Sequence, residues 1–325
     1  MKILVTGGAG YIGAHAVRLL VAAGHNVVVI DNLSTGQKHN LPDGAELVKG
    51  DFGDAKLLDK VFGNGAGAES DGAPFDAVMH FAASIDLNES IEKPLEYFEN
   101  NTLKTGVLVQ AMLRAGVKKL IFSSTAAVYG KQKAMPIAES AIGENLAPYG
   151  LSKSLSEQLI QAYAQTAGLQ AIVFRYFNAC GSDFDKLIYP NHATSLIPQV
   201  INVAEGRVPH LTIYGTDFDT IDGSGVRDYV HVLDIARAHL AGLEYFNKSS
   251  ENFKTYNIGT GTGWSVKQII AAVERITGKH VPVQTADRRP VDVAIAVADN
   301  TKIRTELGFE LEHSDLETLI KTSWH

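Results

Sequence analysis

The chain has 325 residues, 45% of them hydrophobic, and is therefore long enough to bury a large core. Its formal net charge of −7 argues against a nucleic-acid or membrane-surface partner. The single cysteine, Cys180, excludes an internal disulfide and a cysteine-rich metal site, and no apolar run approaches the roughly 18 residues of a membrane-spanning helix. We therefore expect a cytoplasmic protein without a metal.

The N-terminal half alternates between apolar strands and helical patterns. Strands are predicted at 2–6, 26–30, 45–48, 77–81, 119–122 and 170–174. Helices are predicted at 12–23, 54–62, 94–115 and 149–167, and the segment 63–73 is predicted to be an exposed loop. Such alternation is typical of an α/β protein whose parallel sheet carries helices on both faces.

The pattern changes after about residue 175. Helices are predicted near 194–205, 232–246 and 266–277, and short strands near 211–214, 255–258 and 281–284. The loops between them are richer in glycine and aspartate. We therefore predict one domain over 1–175, to which later segments return, and a smaller C-terminal substrate-binding lobe that comprises mainly 176–325.

A glycine-rich turn follows the first predicted strand, in Thr6-Gly-Gly-Ala-Gly-Tyr-Ile-Gly13. Gly7 permits a tight turn, Gly10 lets the backbone approach a pyrophosphate, and Gly13 lets the helix pack closely on the strand. Asp31 ends the second strand, where its carboxylate can accept both ribose hydroxyls and repel a 2′-phosphate. The segment therefore predicts a Rossmann-type doubly wound parallel sheet that binds NAD rather than NADP.

Asp51 follows the third predicted strand, in Gly50-Asp51-Phe52. It is placed to contact the adenine of a dinucleotide. It is equally well placed to cap the next helix, because aspartate is favoured at helix N-termini. The sequence leaves both interpretations open.

Tyr149 and Lys153 stand at i and i+4, on one face of a predicted helix. Because an ammonium beside a phenol favours the phenolate, we expect the pKa of Tyr149 to fall toward neutrality. Thr125 lies at the carboxyl end of a predicted strand, where parallel sheets bind their ligands. Hydroxyl, phenol and ammonium together predict a proton relay.

These motifs, with the segments 225–232 (GVRDYVHV) and 288–292 (RRPVD), extend over nearly the whole chain. On these residues the chain resembles the extended short-chain dehydrogenases/reductases and, within that superfamily, the UDP-glucose 4-epimerases. The resemblance implies that the chain interconverts UDP-glucose and UDP-galactose with NAD as its cofactor.

The resemblance also implies a role for each matching residue. Tyr149 is the acid/base, Thr125 is its hydroxyl partner, and Lys153 holds the nicotinamide ribose and tunes Tyr149. The implied NAD contacts are Gly7, Gly10, Tyr11, Ile12, Gly13, Asp31, Asn32, Ser34, Thr35, Gly36, Asp51, Phe52, Phe81, Ala82, Ala83, Asn100, Ser123, Tyr149, Lys153 and Phe177. The implied UDP-sugar contacts are Thr125, Asn178, Leu196, Tyr214, Arg227, Tyr229, Arg289, Asp292 and Ala296.

The implied reaction has no net redox change. Tyr149 takes the proton of the 4′-hydroxyl while C4′ gives hydride to NAD; the 4-keto sugar then turns over, and hydride returns to its opposite face. Arg227 and Arg289 are the cations that a diphosphate requires in this acidic protein.

A homodimer is predicted from the two longest helices. The segments 94–115 and 149–167 carry apolar residues on more than one face, among them Leu103, Val107, Leu159 and Ile160. Packing such helices against their symmetry mates forms a four-helix bundle. The resemblance implies the same assembly.

Three residues depart from the pattern of the family's common bacterial members. Ile85 replaces a lysine on the cofactor side, and Ser195 replaces an asparagine that helps to hold the diphosphate. Ala296 replaces a bulky tyrosine that lines the sugar pocket. The smaller side chain leaves room for a 2-acetamido group, so we expect UDP-N-acetylglucosamine and UDP-N-acetylgalactosamine to be interconverted as well.

Alternatives to this function differ in how well they fit the residues. A sugar-nucleotide 4,6-dehydratase has Asp-Glu directly after the active threonine, whereas Ala126 and Ala127 follow Thr125 here, so this alternative fails. A 4-epimerase of UDP-glucuronate or UDP-xylose stays open, because its relay is identical. A non-catalytic NAD-binding regulator is disfavoured, because it needs neither Tyr149 nor Lys153.

Overall fold

The computed structural model describes residues 1–63, 74–144, 146–189, 195–248, 251–289 and 292–324. Its strands are β1 (Lys2–Thr6), β2 (Asn26–Asp31), β3 (Ala45–Lys49), β4 (Ala77–His80), β5 (Lys119–Thr125), β6 (Gln170–Tyr176), β7 (Asn178–Cys180), β8 (Leu211–Tyr214), β9 (Val226–Arg227), β10 (Tyr229–His231), β11 (Phe253–Ile258), β12 (Trp264–Ser265), β13 (Val283–Ala286) and β14 (Ile295–Ala296).

The α-helices are α1 (Tyr11–Ala22), α2 (Ala55–Phe62), α3 (Leu87–Glu92), α4 (Pro94–Tyr97), α5 (Lys104–Arg114), α6 (Pro148–Thr166), α7 (Leu196–Ala204), α8 (Val232–Tyr245), α9 (Val266–Thr277) and α10 (Leu316–Ser323). Residues 64–73 of the predicted loop 63–73 lie outside the described residues; Gly63 adopts the left-handed conformation and ends α2. Within the described ranges, no helix has both the length and the apolar character required to cross a membrane.

Seven strands form the main sheet, in the order β11-β6-β5-β4-β1-β2-β3. The β4–β1 and β1–β2 pairs at its centre are parallel, as are β2–β3 and β4–β5. β1, β2 and β4 are buried over nearly their whole length because helices cover both faces of a parallel sheet, whereas the edge strand β3 is partly exposed. The predicted α/β class and Rossmann-type parallel sheet are confirmed.

The described chain divides into two compact units. The first unit comprises residues 1–128, 146–175 and 236–256, and therefore most of the seven-stranded sheet. Its core packs sheet residues such as Val78 and Leu120 with Met112 of α5 and Ile160 of α6, all of which are fully buried. Burial of each such side chain stabilises the fold by roughly 1.5–3 kcal/mol.

The second unit comprises residues 129–145, 176–235 and 257–325. Its core is formed by α7, α9 and α10, which contribute Ile197, Ile269 and Leu319 among other fully buried residues. Ser265 caps α9 in a capping box with Gln268, which satisfies backbone donors at the start of that helix. The predicted function of 176–325 as the substrate lobe stays a prediction.

The predicted single helix 94–115 is wrong in its middle. The chain forms α4, then a π-helical segment over Phe98–Leu103, and then α5. A π turn inserts one residue into the helical repeat and is frequent at functional sites. Here Asn101 of the π-helical segment donates hydrogen bonds to the Ser84 carbonyl (2.9 Å) and to the Ser152 hydroxyl (3.0 Å). The first bond ties the segment to the loop after β4, and the second ties it to α6.

Candidate active site

The turn between β1 and α1 has the geometry of a backbone cradle. Gly7 lies at φ +71°, and a side-chain carbon there would lie 2.5 Å from the Ala82 nitrogen. A side-chain carbon at Gly13 would lie 2.2 Å from the Gly7 carbonyl oxygen. Both positions therefore require glycine, and α1 starts directly afterwards at Tyr11, with its amide groups at the mouth of the turn.

Asp31 is fixed beside this cradle. The carboxylate accepts hydrogen bonds from the backbone N–H groups of Ala9 (2.9 Å) and Leu33 (2.8 Å), and only 7% of the residue is exposed. Each of its oxygens keeps a lone pair for a ribose hydroxyl. Glycine is needed at Gly36 too, since a side-chain carbon there would lie 3.0 Å from an Asp31 oxygen. The cradle and the carboxylate fit an NAD molecule.

The structure decides against a capping role for Asp51. Asp54 is the N-cap of α2 and accepts hydrogen bonds from the N–H groups of Lys56 and Leu57. Asp51 instead accepts a hydrogen bond from the Gly53 N–H (2.8 Å) and forms an ion pair with Lys104 (2.6 Å). The predicted adenine contact of Asp51 stays a prediction.

Lys104 also connects Asp51 to a second predicted cofactor residue. Its ammonium donates to the Asn100 side-chain oxygen (3.1 Å), and Asn100 donates to the Ser84 hydroxyl (3.1 Å). The remaining predicted cofactor residues of this unit lie on the same strand ends and loops: Tyr11 and Ile12 start α1, Asn32, Ser34 and Thr35 follow β2, Phe52 follows β3, Phe81, Ala82 and Ala83 follow β4, and Ser123 lies in β5.

Thr125 and Tyr149 are in contact, and Lys153 lies one helical turn from Tyr149 on α6. A hydrogen bond joins the side chains of Tyr149 and Thr125, at the start of α6 and the end of β5. Lys153 is 3% exposed, and its ammonium lies 4.3 Å from the centre of the Phe122 ring. At that distance an aromatic ring stabilises the cation. The Tyr149 ring packs edge-on against Tyr97, with ring centres 6.3 Å apart.

The expected low pKa of Tyr149 is wrong for this structure. Burial raises the pKa of Tyr149 to about 12, although the hydrogen bond with Thr125 acts in the opposite direction. Burial also lowers the pKa of Lys153 to about 7, against the effect of Glu157. Both shifts favour the neutral form because a low-dielectric interior disfavours charge. The i,i+4 spacing shows that the two residues share a helix face, but it does not show that they are buried.

A buried hydrogen-bond chain extends from β1 to α5. The His80 Nδ1 lies 2.6 Å from the Thr6 hydroxyl, and its Nε2 lies 2.9 Å from the Thr105 hydroxyl. Thr105 donates its proton to the Asn101 carbonyl (2.6 Å), so His80 donates through Nε2 and accepts through Nδ1. Burial, and then the charge of Lys153, hold the pKa of His80 well below its usual range. His80 is therefore neutral.

In the second unit, the predicted substrate residues form two groups. Arg289 forms a two-point ion pair with Asp292 (2.8 and 3.0 Å), and its guanidinium lies 4.7 Å from the centre of the Tyr214 ring. Burial lowers the pKa of Arg227, against the effects of Tyr229 and Asp292. A desolvated guanidinium is a strong partner for a diphosphate.

The other group comprises Asn178 of β7, Tyr229 of β10 and Leu196 of α7, and the predicted NAD contact Phe177 lies next to Asn178 in the chain. Asn178 and Tyr229 are register partners in this parallel pair. Phe177 precedes β7, is 6% exposed and donates its N–H to the Ile258 carbonyl (3.0 Å). Leu196 is the first residue of α7 and packs against that unit's core. The contacts of these residues with NAD or the UDP-sugar stay predictions.

The three departures from the family pattern have different settings. Ile85 is 68% exposed, and Ser195 precedes α7 without a hydrogen bond from its side chain to that helix end. Ala296 pairs with Arg227 across the parallel strands β14 and β9. Register partners point to the same face of a sheet, so Ala296 lies beside the predicted diphosphate cation.

Asp228 has a structural role that its motif did not reveal. Its carboxylate accepts hydrogen bonds from the N–H groups of Thr260 (2.8 Å), Gly261 (3.0 Å) and Ala298 (3.2 Å), and from the Thr260 hydroxyl (2.7 Å). Burial raises its pKa against these hydrogen bonds. Asp228 therefore fixes the backbone around Arg227 within the second unit.

Sequence reasoning missed His80, Asn101 and Glu157. Glu157 continues the register of Tyr149 and Lys153 by another four residues, and this signal could have found it. His80 and Asn101 act through contacts distant in sequence, which local spacing does not show. In the part of the chain that the structure describes, no group of three or more histidine, cysteine or acidic side chains is arranged to hold a metal ion.

Comparisons with known proteins agree with the resemblance. Residues 3–259 match the family described as "NAD dependent epimerase/dehydratase family". The UDP-glucose 4-epimerase of Azospirillum brasilense is 42% identical over 99% of this chain and 91% of the relative. These matches confirm the predicted membership.

Solved structures give the same result. A UDP-glucose 4-epimerase from Stenotrophomonas maltophila, with bound NAD and formylated UDP-arabinopyranose, is 38% identical, with a TM-score of 0.92 over 100% of this chain and 97% of that chain. The UDP-Glc/GlcNAc 4-epimerase from Campylobacter jejuni is 37% identical, with a TM-score of 0.84 over 99% of this chain and 98% of that chain. The chain belongs to the NAD dependent epimerase/dehydratase family.

Proposed function

We propose that the chain interconverts UDP-glucose and UDP-galactose by transient oxidation at C4′ of the sugar. The observation that carries this proposal is the hydrogen-bonded pair of Thr125 and Tyr149 with Lys153 one turn along α6. The cofactor is NAD, for which the first unit has the glycine cradle and Asp31. The named relatives and structural neighbours support the same substrate class.

The chain's own residues would act on the 4′-hydroxyl proton. Tyr149 accepts this proton as a phenolate and returns it as a phenol, while Thr125 orients the hydroxyl and Lys153 supplies positive charge. Bound NAD supplies the hydride acceptor and donor, together with the positive charge of its nicotinamide ring. Arg227 and Arg289 hold the diphosphate, so that the sugar can turn while the nucleotide stays bound.

The test is an NMR assay of purified protein with UDP-galactose, without added cofactor. We expect UDP-glucose to accumulate to an equilibrium mixture, and extraction of the protein to release NAD rather than NADP. A non-catalytic NAD-binding regulator predicts no conversion. UDP-glucuronate and UDP-xylose, assayed in parallel, show whether another UDP-sugar is preferred.

We propose in addition that UDP-N-acetylglucosamine and UDP-N-acetylgalactosamine are substrates. The support is the methyl side chain of Ala296, which pairs with Arg227. A structural neighbour from Campylobacter jejuni is named a UDP-Glc/GlcNAc 4-epimerase. Ala296→Tyr should abolish turnover of the acetamido sugars by steric exclusion and spare UDP-galactose. Wild-type protein that converts UDP-galactose but neither acetamido sugar would contradict the proposal.

We propose a homodimer through α4, α6 and the π-helical segment. Leu95 is 75% and Leu103 is 63% exposed, and Leu151 and Leu155 are exposed one turn apart on α6. A hydrogen bond from the Thr102 hydroxyl to the Ser152 carbonyl (2.8 Å) joins the π-helical segment to α6, the two elements that carry Leu103, Leu151 and Leu155. A two-fold axis through this patch buries it as a four-helix bundle.

The interface residues predicted from the sequence are partly wrong. Of the four apolar residues named from the sequence, Ile160 is fully buried, and Val107 and Leu159 pack against their own core. Light scattering should give about twice the 35.0 kDa chain mass, and Leu103→Glu with Leu155→Glu should give the chain mass. A wild-type monomer would contradict the dimer.

We also propose a cytoplasmic location, supported by the single, buried Cys180. Cell fractionation tests it: recovery of the native protein outside the cytoplasmic fraction would contradict this location.

A further inference from the structure

Glu157 lies on the same face of α6 as the two catalytic residues. Tyr149, Lys153 and Glu157 follow one another at steps of four residues, about one helical turn each. Glu157 is only 5% exposed. Because burying a carboxylate is costly unless it is paired, this residue must have strong partners.

Two strands of the sheet hold the Glu157 carboxylate. The Ser124 hydroxyl, at the end of β5, donates to Oε1 at 2.5 Å. The Arg175 guanidinium, on β6, donates from Nε to both oxygens (3.0 and 3.1 Å) and from Nη2 to Oε2 (2.5 Å). Ser124 directly precedes Thr125, so this clamp ties α6 to the strand end that carries the catalytic threonine. A guanidinium stays protonated in proteins and matches the two oxygens of a carboxylate, so Arg175 is a strong partner for Glu157.

The charges around Lys153 give Glu157 its significance. Burial lowers the pKa of Lys153 to about 7, and the Glu157 charge acts against this effect. On β4, His80 is neutral and supplies no charge. On α6, Tyr149 is protonated at neutral pH, and Arg175 on β6 is paired with Glu157. Among the described residues, Glu157 is therefore the anion whose charge favours the ammonium form.

We propose that Glu157, clamped by Ser124 and Arg175, is a positioning residue that holds the ammonium charge on Lys153 and thereby supports the phenolate of Tyr149. This proposal rests on the proposed function, in which Tyr149 is the acid/base. Without the carboxylate, Lys153 loses its proton at a lower pH, because burial is then unopposed. A neutral amine gives the phenolate no electrostatic support.

The first test is the pH profile of kcat for UDP-galactose. Glu157→Gln keeps the length and an oxygen for Ser124 but removes the charge. We expect the alkaline limb of its profile, which follows loss of the Lys153 proton, to move to lower pH by about one unit. Glu157→Asp keeps the charge, so its limb should stay near the wild-type position even if its rate is lower.

Glu205→Gln is the matched control. Glu205 is a largely buried glutamate of the second unit that pairs with Arg207 at 2.9 Å. Its substitution should leave the limb unchanged. If Glu157→Gln does not fold, the double variant Glu157→Gln with Arg175→Gln replaces it. Removing both charges of a buried ion pair destabilises a protein less than removing one partner. The limb of the double variant should move in the same direction but by less, because the positive charge of Arg175 is lost together with the negative charge of Glu157.

The second readout does not depend on turnover. Carbon-13 NMR of the lysine side chains, with Lys153→Met to assign the Lys153 signal, follows the Lys153 proton directly. We expect Lys153 to lose this proton at lower pH in Glu157→Gln than in the wild type, with unfolding temperatures reported for both. An unchanged limb together with an unchanged Lys153 titration would overturn the proposal and leave the clamp purely structural. A wild-type protein without turnover overturns the proposed function instead.

Discussion

Burial sets the protonation of Tyr149 and Lys153 in opposite directions. It raises the pKa of the Tyr149 phenol to about 12 and lowers that of the Lys153 ammonium to about 7, so near pH 7 the phenol is neutral and the ammonium is partly deprotonated. Lys153 has its pKa near neutral pH and Tyr149 does not, so a change in nearby charge alters the protonation of Lys153 first. Of the two predicted catalytic residues, Lys153 is therefore the more sensitive to nearby charges.

Tyr149→Phe should lower kcat by roughly 10²–10⁴-fold and leave UDP binding nearly unchanged, because only the proton-accepting oxygen is lost. Steady-state kinetics and UDP titration measure the two effects. Tyr97→Phe is the control, since its hydroxyl donates to Glu89 (3.0 Å) and its ring keeps the edge contact with Tyr149. If Tyr149→Phe kept more than about a third of the wild-type rate, its assigned role would be wrong.

Lys153→Met should abolish turnover yet raise the unfolding temperature of the cofactor-free protein at pH 7 by roughly 2–4 °C. Folding lowers the pKa of Lys153 from 10.5 to about 7, so the unfolded chain binds more protons between these pH values. Wild-type stability therefore rises with pH through this window, and the variant lacks this contribution. Thermal unfolding of wild type and variant from pH 7 to 10 measures the difference at pH 7 and the pH dependence of stability. A lower unfolding temperature for the variant at pH 7 would contradict the conclusion that burial of Lys153 destabilises the fold.

Among the secondary-structure elements, the turn from β1 to α1 depends most strictly on residue type. Gly13 approaches the backbone of Gly7 rather than a side chain, so no rotamer change can relieve a clash there. The strand and helix hold both sides of the contact. A larger residue must therefore displace the turn that forms the cradle.

Gly13→Ala should accordingly lose bound NAD, with the purified protein retaining less than about a tenth of the wild-type content. Gly106→Ala is the control: it is also a helical glycine, but its nearest neighbour is the Leu159 side chain, at 3.2 Å. That side chain can yield by a few tenths of an ångström. The measurement is the NAD content of each protein after gel filtration. Normal NAD retention by Gly13→Ala would contradict the assignment of this turn as the NAD-binding cradle.

The sequence predicted the strands of the main sheet to within a few residues, because both buried faces of β1, β2 and β4 require apolar side chains along most of their length. It did not predict the π-helical segment Phe98–Leu103, since so short a segment shifts the helical repeat by only one residue and the apolar spacing on either side of it stays helical. The hydrogen bonds of Asn101 with Ser84 and Ser152 fix that segment, and these partners are distant in sequence.

The candidate site was predictable where its chemistry is local. The glycines of the first turn and the Tyr149–Lys153 register are visible in short segments. The Glu157–Arg175 ion pair and the His80 chain require tertiary contacts, and the direction of each pKa shift depends on burial. Two-residue strands such as β9 and β14 form only through long-range pairing, so no local pattern indicates them.

On the scale of the whole molecule, an acidic chain must still bind an anionic substrate. The net charge of −7 provides no general attraction, so individual cations must do so. Arg227 is desolvated, and Arg289 is oriented by Asp292 and Tyr214 within the second unit. A charged hydrogen bond in a desolvated setting is worth more than one in water, so the proposed diphosphate contacts of these two arginines would give nucleotide affinity despite the overall charge.

The central claim is that C4′ of the sugar is oxidised and then reduced by the same hydride, with no net redox change. Conversion of UDP-galactose deuterated at C4′, followed by NMR, tests this claim most directly. We predict UDP-glucose that keeps its deuterium at C4′, formed without added NAD and without exchange with solvent. Replacement of the deuterium by a solvent proton would contradict transient oxidation at C4′.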